Sequence, residues 1–220
     1  MHNGRIKYNH IVSLGKDCMS RTIPTKFFLK KNKNDGELSL PFDLAIHRYD
    51  AVCEIIENEF LDYTNSKYFQ IGTDGSIEHS KYFARYTHER ESIFYEENFK
   101  HLIEKYFKRI ANFNSYIQDD CILFIATFPV YPIELFNVIK STYPSLRFKL
   151  LNFDTREFSA SNNYRVDGLG LKNKDLLYVR APIPHSNYIW WKKEDYDTPE
   201  GKEFESYIAY WVELMLEFGI

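Results

Sequence analysis

Cysteine is scarce in this chain: three residues in 220, at positions 18, 53 and 121. They form no close pair and no metal-ligand spacing, which argues against a disulfide framework and against a zinc site. No apolar run approaches the ~20 residues of a membrane span. The opening Met1-His2-Asn3-Gly4-Arg5 lacks an apolar signal region, so a cytoplasmic protein is the expectation. Basic charge is not in excess either. With 28 Lys and Arg against 31 Asp and Glu, the formal net charge is -3, which argues against a nucleic-acid binder that works through a general basic field. The one basic run, Lys26 to Lys33 with Phe27, Phe28 and Leu29 inside it, reads as a solvated helix end and loop. Neither G-x-x-x-x-G-K nor G-x-G-x-x-G occurs, and Gly168-Leu169-Gly170 is a lone fragment. No cofactor is expected.

What is abundant is aromatic residues, 17% of the chain, with 17 Tyr and 18 Phe. That load excludes general disorder, and 220 residues suit a single domain over 1–220. Ile11 and Val12 begin a short buried strand. Met19 to Lys31 can form a helix, although Pro24 moves its firm start towards Thr22 or Pro24. Asp50 is expected to cap a helix through Phe60, with Val52, Ile55 and Ile56 on one face. The stretch 63–92 reads as an irregular excursion, with Gly72-Thr73-Asp74-Gly75 as a hairpin turn. A long helix, Glu96 to Tyr116, carries an apolar stripe. The clearest fold signal is Cys121 to Ala126 as a buried strand, Ile133 to Thr142 as an amphipathic helix, and Phe148 to Phe153 as a second strand. Such a unit is a right-handed parallel crossover. A further strand at Leu176 to Val179 and a closing helix from Phe204 to Phe218 complete the pattern. It predicts an α/β fold, three-layer α/β/α with a mainly parallel sheet.

The stretch with the most chemistry is Ser13-Leu14-Gly15-Lys16-Asp17-Cys18. A cysteine where a strand breaks into a helix meets free N–H groups and the positive end of the helix dipole, which lower a thiol pKa. Cys18 is therefore a candidate nucleophile, with the N–H groups of Asp17 and Cys18 as oxyanion donors; equally, it fits as a small apolar filler under the helix. In a parallel sheet, ligands bind beyond the carboxyl ends of the strands. Gly15 to Cys18, Thr127 to Tyr131 and Asp154-Thr155-Arg156 all follow strand ends and could share one rim. His185, in the proline-bounded loop Pro182-Ile183-Pro184-His185, is a further site candidate.

Ser13-Leu14-Gly15 with Cys18, and then Pro41-Phe42-Asp43, resembles a bacterial family of unknown function described as papain-like cysteine peptidases. Leu44 stands where that family usually has Trp. Phe83 to His88 resembles its aromatic-then-His element, and Lys108-Arg109-Ile110 its Arg-containing helix. The resemblance implies a cysteine-dependent hydrolase or acyltransferase with Cys18, His88 and Asp43 as catalytic residues. Ser13, Gly15, Asp17, His79, Arg109 and His185 then become candidates for binding substrate, and His79 is also the alternative base. Asp43 could orient the imidazole or hold a turn and pair with Arg48 or Arg109. Papain-like enzymes pair a helical lobe with an antiparallel sheet, whereas the periodicity here predicts parallel strands.

Two other readings stay open. Hydrolases of the lipase and acetylesterase type place a serine after the first strand, as Ser13 is placed. They carry Asp three residues before a C-terminal His, however, and Pro182 holds that position before His185. A non-catalytic module that binds a glycan or a protein partner would use Tyr188, Trp190 and Trp191 as a stacking surface, unless they pack on the last helix. The substrate is thus a small molecule, a peptide or a glycan.

Overall fold

The computed structural model describes residues 7–119, 121–156 and 174–218. The first five residues and Gly168-Leu169-Gly170 lie outside them. In chain order the elements are β1 (His10–Ser13), α1 (Met19–Lys26), α2 (Tyr49–Glu57), β2 (Phe69–Ile71), β3 (Ile77–His79), β4 (Ala84–Tyr86) and α3 (Lys100–Tyr116). There follow β5 (Cys121–Ala126), α4 (Ile133–Thr142), β6 (Arg147–Asp154), β7 (Leu176–Arg180), α5 (Lys193–Tyr196) and α6 (Pro199–Phe218). The fold is mixed α/β, with a four-stranded sheet ordered β1-β5-β6-β7 and a small three-stranded sheet ordered β2-β3-β4. Every pairing in the larger sheet is parallel: Ile11 lies opposite Leu123, Phe124 opposite Leu150 and Leu151 opposite Leu177.

The near-continuous apolar runs of these strands follow from burial on both faces, as parallel sheets require. Val12, Leu14, Ile122, Phe124, Ala126 and Leu150 face one cluster, filled by Val52, Ile55 and Ile56 of α2, Tyr106 and Phe113 of α3, and Leu135 and Ile139 of α4. Ile11, Leu123, Ile125, Leu151, Phe153 and Val179 face the other, filled by Met19 and Ile23 of α1 and Phe204, Ile208 and Val212 of α6. Period-2 alternation thus sorts each strand between two cores.

The structure departs from several of the expected elements. Helix α1 runs from Met19 with Pro24 inside it, so no separate turn precedes it. A short helix with its free carbonyls near its end tolerates that lost donor, and the N–H groups of Leu29 and Lys30 both return to the Pro24 carbonyl. Asp50 sits in the first turn of α2, where Arg48 is the N-cap, so its charge meets the helix dipole rather than a capping N–H. Helix α3 starts at Lys100, because Glu97, Asn98 and Phe99 all have positive φ. The excursion at 63–92 is not simply laid over the domain. It forms β2–β4, and Tyr63, Phe69, Ile77, Tyr82 and Tyr86 enter the first core cluster. Three-residue strands are too short to show a period, which is why sequence alone missed them. The hairpin turn is present, with the Gly72 N–H donating to the Ser76 carbonyl at 2.8 Å. Among the described residues no helix is long and apolar enough to cross a membrane.

Two histidines are built into this aromatic core. His79 Nε2 lies 3.1 Å from the Asp62 carbonyl, and the Tyr82 N–H donates to Nδ1 at 3.2 Å. Burial pushes His79 down to about 4 and His47 down to about 3. An unfolded histidine titrates near ~6.5. Between about pH 6.5 and pH 4 the unfolded chain therefore binds more protons, and stability that is complete above this window falls as pH falls through it. We expect the melting temperature to drop by several degrees between about pH 7 and 4.5, and to drop less in His79→Gln. Equal drops in parent and variant would remove His79 from this account.

Candidate functional site

The loop from β1 into α1 is held at both ends. Gly15 adopts φ +90°, a conformation that favours glycine, and its carbonyl accepts the Thr127 N–H at 2.8 Å. The Lys16 N–H donates to Thr127 Oγ1 at 3.0 Å, and the His47 N–H donates to the Lys16 carbonyl at 2.8 Å. Asp17 Oδ1 accepts the Met19 N–H at 2.9 Å and so caps α1, while the Cys18 carbonyl accepts from Thr22 at 2.9 Å. Cys18 is thereby the N-cap residue, half-buried at the helix start.

His88 comes from the far side of the loop. The Ile46 N–H donates to the Arg85 carbonyl at 2.9 Å and Arg85 N–H returns the bond at 3.0 Å, which ties β4 to the segment after Asp43. Two residues past β4, His88 sits between buried Tyr86 and buried Glu89. Glu89 is clamped by Arg109 Nη2 at 3.2 Å and Lys105 Nζ at 3.1 Å. Across 70 residues of chain, His88 Nε2 arrives 3.6 Å from Cys18 Sγ. The imidazole is exposed on its outer side.

Electrostatics at the thiol oppose the helix dipole. Burial, then the Asp17 carboxylate, push the Cys18 thiol up to about 11, against weaker help from its own N–H and Arg21. Burial likewise raises Asp17, with the Met19 N–H and Lys16 opposing it. The helix start is real, but desolvation outweighs it.

Asp43 is fully buried. Its Oδ2 accepts the Leu40 N–H at 2.8 Å and faces Arg21 Nε at 3.5 Å. Burial raises its pKa, with Arg21 and Lys30 the main opposing charges. No hydrogen bond joins Asp43 to His88 among the described residues; its bond to the Leu40 N–H fits the turn-holding alternative, with Arg21 as ion-pair partner in place of Arg48 or Arg109. Lys30, expected on a solvated face, is buried and held by the Ile11 carbonyl and Glu37.

The Cys18–His88 pair opens onto a cleft of about 540 Å³. Arg21, Thr22, Thr25 and Lys26 of α1 form one side, and Trp190, Trp191, Tyr196 and Glu205 of the C-terminal segment form the other. Trp190 is buried in the second core, whereas Trp191 is 64% exposed with its ring edge-on to Trp190 at 5.6 Å. The other expected substrate contacts lie elsewhere. Ser13 is buried under α1 against Ser20 Oγ, and Gly15 is enclosed by its bonds to Thr127. His79 has both ring nitrogens engaged in the aromatic core, and Arg109 is buried on Glu89 with its guanidinium 4.5 Å from the Tyr106 ring centre. His185 is exposed, edge-on to Tyr188, and does not line the cleft. Arg21 was overlooked in the sequence, although it stands three residues after Cys18 on the same helix face, a spacing that brings side chains together.

With this geometry in place, the comparison with known families is informative. A family model described as "putative papain-like cysteine peptidase" matches residues 9–157. The chain belongs to that family. No curated protein and no solved structure matched the chain. The family match spans Cys18, Asp43, His88 and Arg109, while Trp190, Trp191, Tyr196 and Glu205 fall beyond it. Papain-like enzymes carry an antiparallel sheet, whereas the sheet whose first strand leads to Cys18 is parallel, as the periodicity predicts.

Asp43→Asn can keep the bond to the Leu40 N–H but removes the charge facing Arg21. We expect a loss of roughly 1–3 kcal/mol in stability, seen as a melting temperature lower by several degrees. A melting temperature equal to that of the parent would show that Asp43 is not a structural anchor.

Proposed function

We propose that this protein is a cysteine-nucleophile hydrolase or acyltransferase, with Cys18 as nucleophile and His88 as its base. The observation that carries this reading is the 3.6 Å approach of His88 Nε2 to Cys18 Sγ at the mouth of a cleft. Such a separation is loose for a hydrogen bond but suits a catalytic pair before substrate tightens it. We also read residues 1–220 as one domain. The helices packed on each face of the sheet support the three-layer α/β/α arrangement. Three free thiols accord with a reducing, cytoplasmic setting.

In the reaction, the sulfur attacks the acyl carbon while its proton passes to His88 Nε2, and the carbonyl π electrons move onto oxygen. The N–H groups of Asp17 and Cys18 are the proposed donors to that oxyanion. Collapse expels the leaving amine or alcohol, which takes the proton from His88, and a thioester on Cys18 remains. Water, or an acceptor in a transferase, gives a proton to His88 as it attacks the thioester, and the thiol recovers that proton when the acyl product departs. Because the resting thiol is protonated, His88 acts during attack and not through a preformed thiolate–imidazolium pair. Asp43 serves the site through Arg21, not as the third member of a triad. A silent binding module remains the second reading, favoured by the exposure of Trp191 over the same cleft.

Timed iodoacetamide labelling across pH separates these readings. Cys18 should label before Cys53, which burial pushes up to about 12, and before buried Cys121. Its rate should be low at about pH 7 and climb steadily through pH 8–11, with His88→Ala slower by ~10-fold or more in the neutral range. Labelling of Cys53 or Cys121 first, or an unchanged rate in His88→Ala, would refute the Cys18–His88 assignment.

A further inference from the structure

The two walls of the cleft differ in chemistry. Arg21 lies one helical turn beyond Cys18, and its Nε faces the carboxylate of fully buried Asp43 at 3.5 Å. A guanidinium fixed from behind by a buried anion is pre-ordered, and its fork matches a carboxylate. Among the described residues no other acceptor reaches Arg21, and its side chain lines the cleft. Farther along, Lys26 is held 2.5 Å from Glu205 and 4.3 Å from the centre of the Tyr196 ring. The Lys, Arg and carboxylate side chains that line the cleft are Arg21, Lys26, Lys33 and Glu205, and Glu205 already holds Lys26, which leaves Arg21 as the cation beside Cys18. On the opposite wall, Trp191 is 64% exposed and lines the open cleft, and an exposed indole beside a nucleophile is a platform for a flat ring. The volume of about 540 Å³ falls within the range of small-molecule sites and suits a short ligand rather than a long polypeptide.

We propose that the cleft takes a small acyl compound bearing an aromatic ring and a free carboxylate near the scissile carbonyl, with Arg21 binding the carboxylate and Trp191 the ring. The substrate class rests on the cysteine-hydrolase reading for its scissile bond, but its binding can be measured without chemistry. Cys18→Ala protein is titrated by calorimetry with acetylglycyl-phenylalanine, with the amide of that compound, and with acetylglycyl-alanine. The first should bind ~10-fold or more tighter than either of the others. Arg21→Gln should abolish the preference for acid over amide, and Trp191→Ala the preference for phenylalanine over alanine. Should Arg21→Gln fail to fold, the comparison of ligands on protein with Arg21 intact still decides the point, and Arg21→Lys tests the fork geometry. Three equal affinities, no binding of the first compound, or preferences unaltered in the variants would overturn the proposal. If Cys18→Ala shows the preferences while the wild-type protein never cleaves the first compound, the ligand class stands and the nucleophile reading falls. If the wild-type protein forms acyl-Cys18 from a simple ester but the preferences are absent, the nucleophile reading stands and the ligand class falls.

Discussion

A strip of backbone hydrogen bonds is what the site depends on. Thr127, just past β5, holds Gly15 and Lys16; the Lys16 carbonyl holds His47; Ile46 pairs with Arg85 in β4; and β4 leads to His88. Cys18 and His88 are distant in sequence and belong to loops beside different sheets, so no single element could fix their separation. The strip does so with peptide groups and the single Thr127 hydroxyl, which accepts the Lys16 N–H. The Pro41-Phe42-Asp43 segment supports it from below: Phe42 packs against Phe60, Tyr63 and Phe113, while Asp43 turns the chain through Leu40. The Glu89 clamp to Arg109 and Lys105 then fixes the turn that carries the imidazole.

Charge around the sulfur explains how such a site would stay quiet without substrate. Burial and Asp17 keep the thiol protonated, against the helix start and Arg21. The low-dielectric setting that penalises an isolated thiolate also strengthens attraction to a nearby imidazolium once the proton has moved. A thiol held protonated in this way would resist stray oxidation.

Much of the large sheet could be read from the chain. The β5–α4–β6 unit shows long apolar strands around an amphipathic helix, which points to parallel neighbours buried on both faces. Cys18 and His88 were legible as candidates through the motifs around them, and their approach required the fold. The small sheet was not legible, because its strands of three residues carry no period and its tyrosines look like surface residues in a polar stretch. His79 and Arg109 misled for one reason: polar side chains in an aromatic-rich segment can be satisfied inside the core by backbone carbonyls or an ion pair. The cleft's second wall was harder still. Trp190 and Trp191 stood out by type, but only tertiary packing brings α6 and the loop before it alongside α1, where Lys26 meets Glu205.

The central claim is that Cys18 attacks an acyl carbon with His88 as its base. Mass spectrometry of the intact protein after mixing with p-nitrophenyl acetate tests it most directly. The account predicts a single acetyl adduct that maps to Cys18 and decays as water turns it over. Cys18→Ser should form no such thioester, and His88→Ala should form it slowly and retain it. An adduct confined to other residues, or one at Cys18 that forms and decays equally fast without His88, would contradict the account.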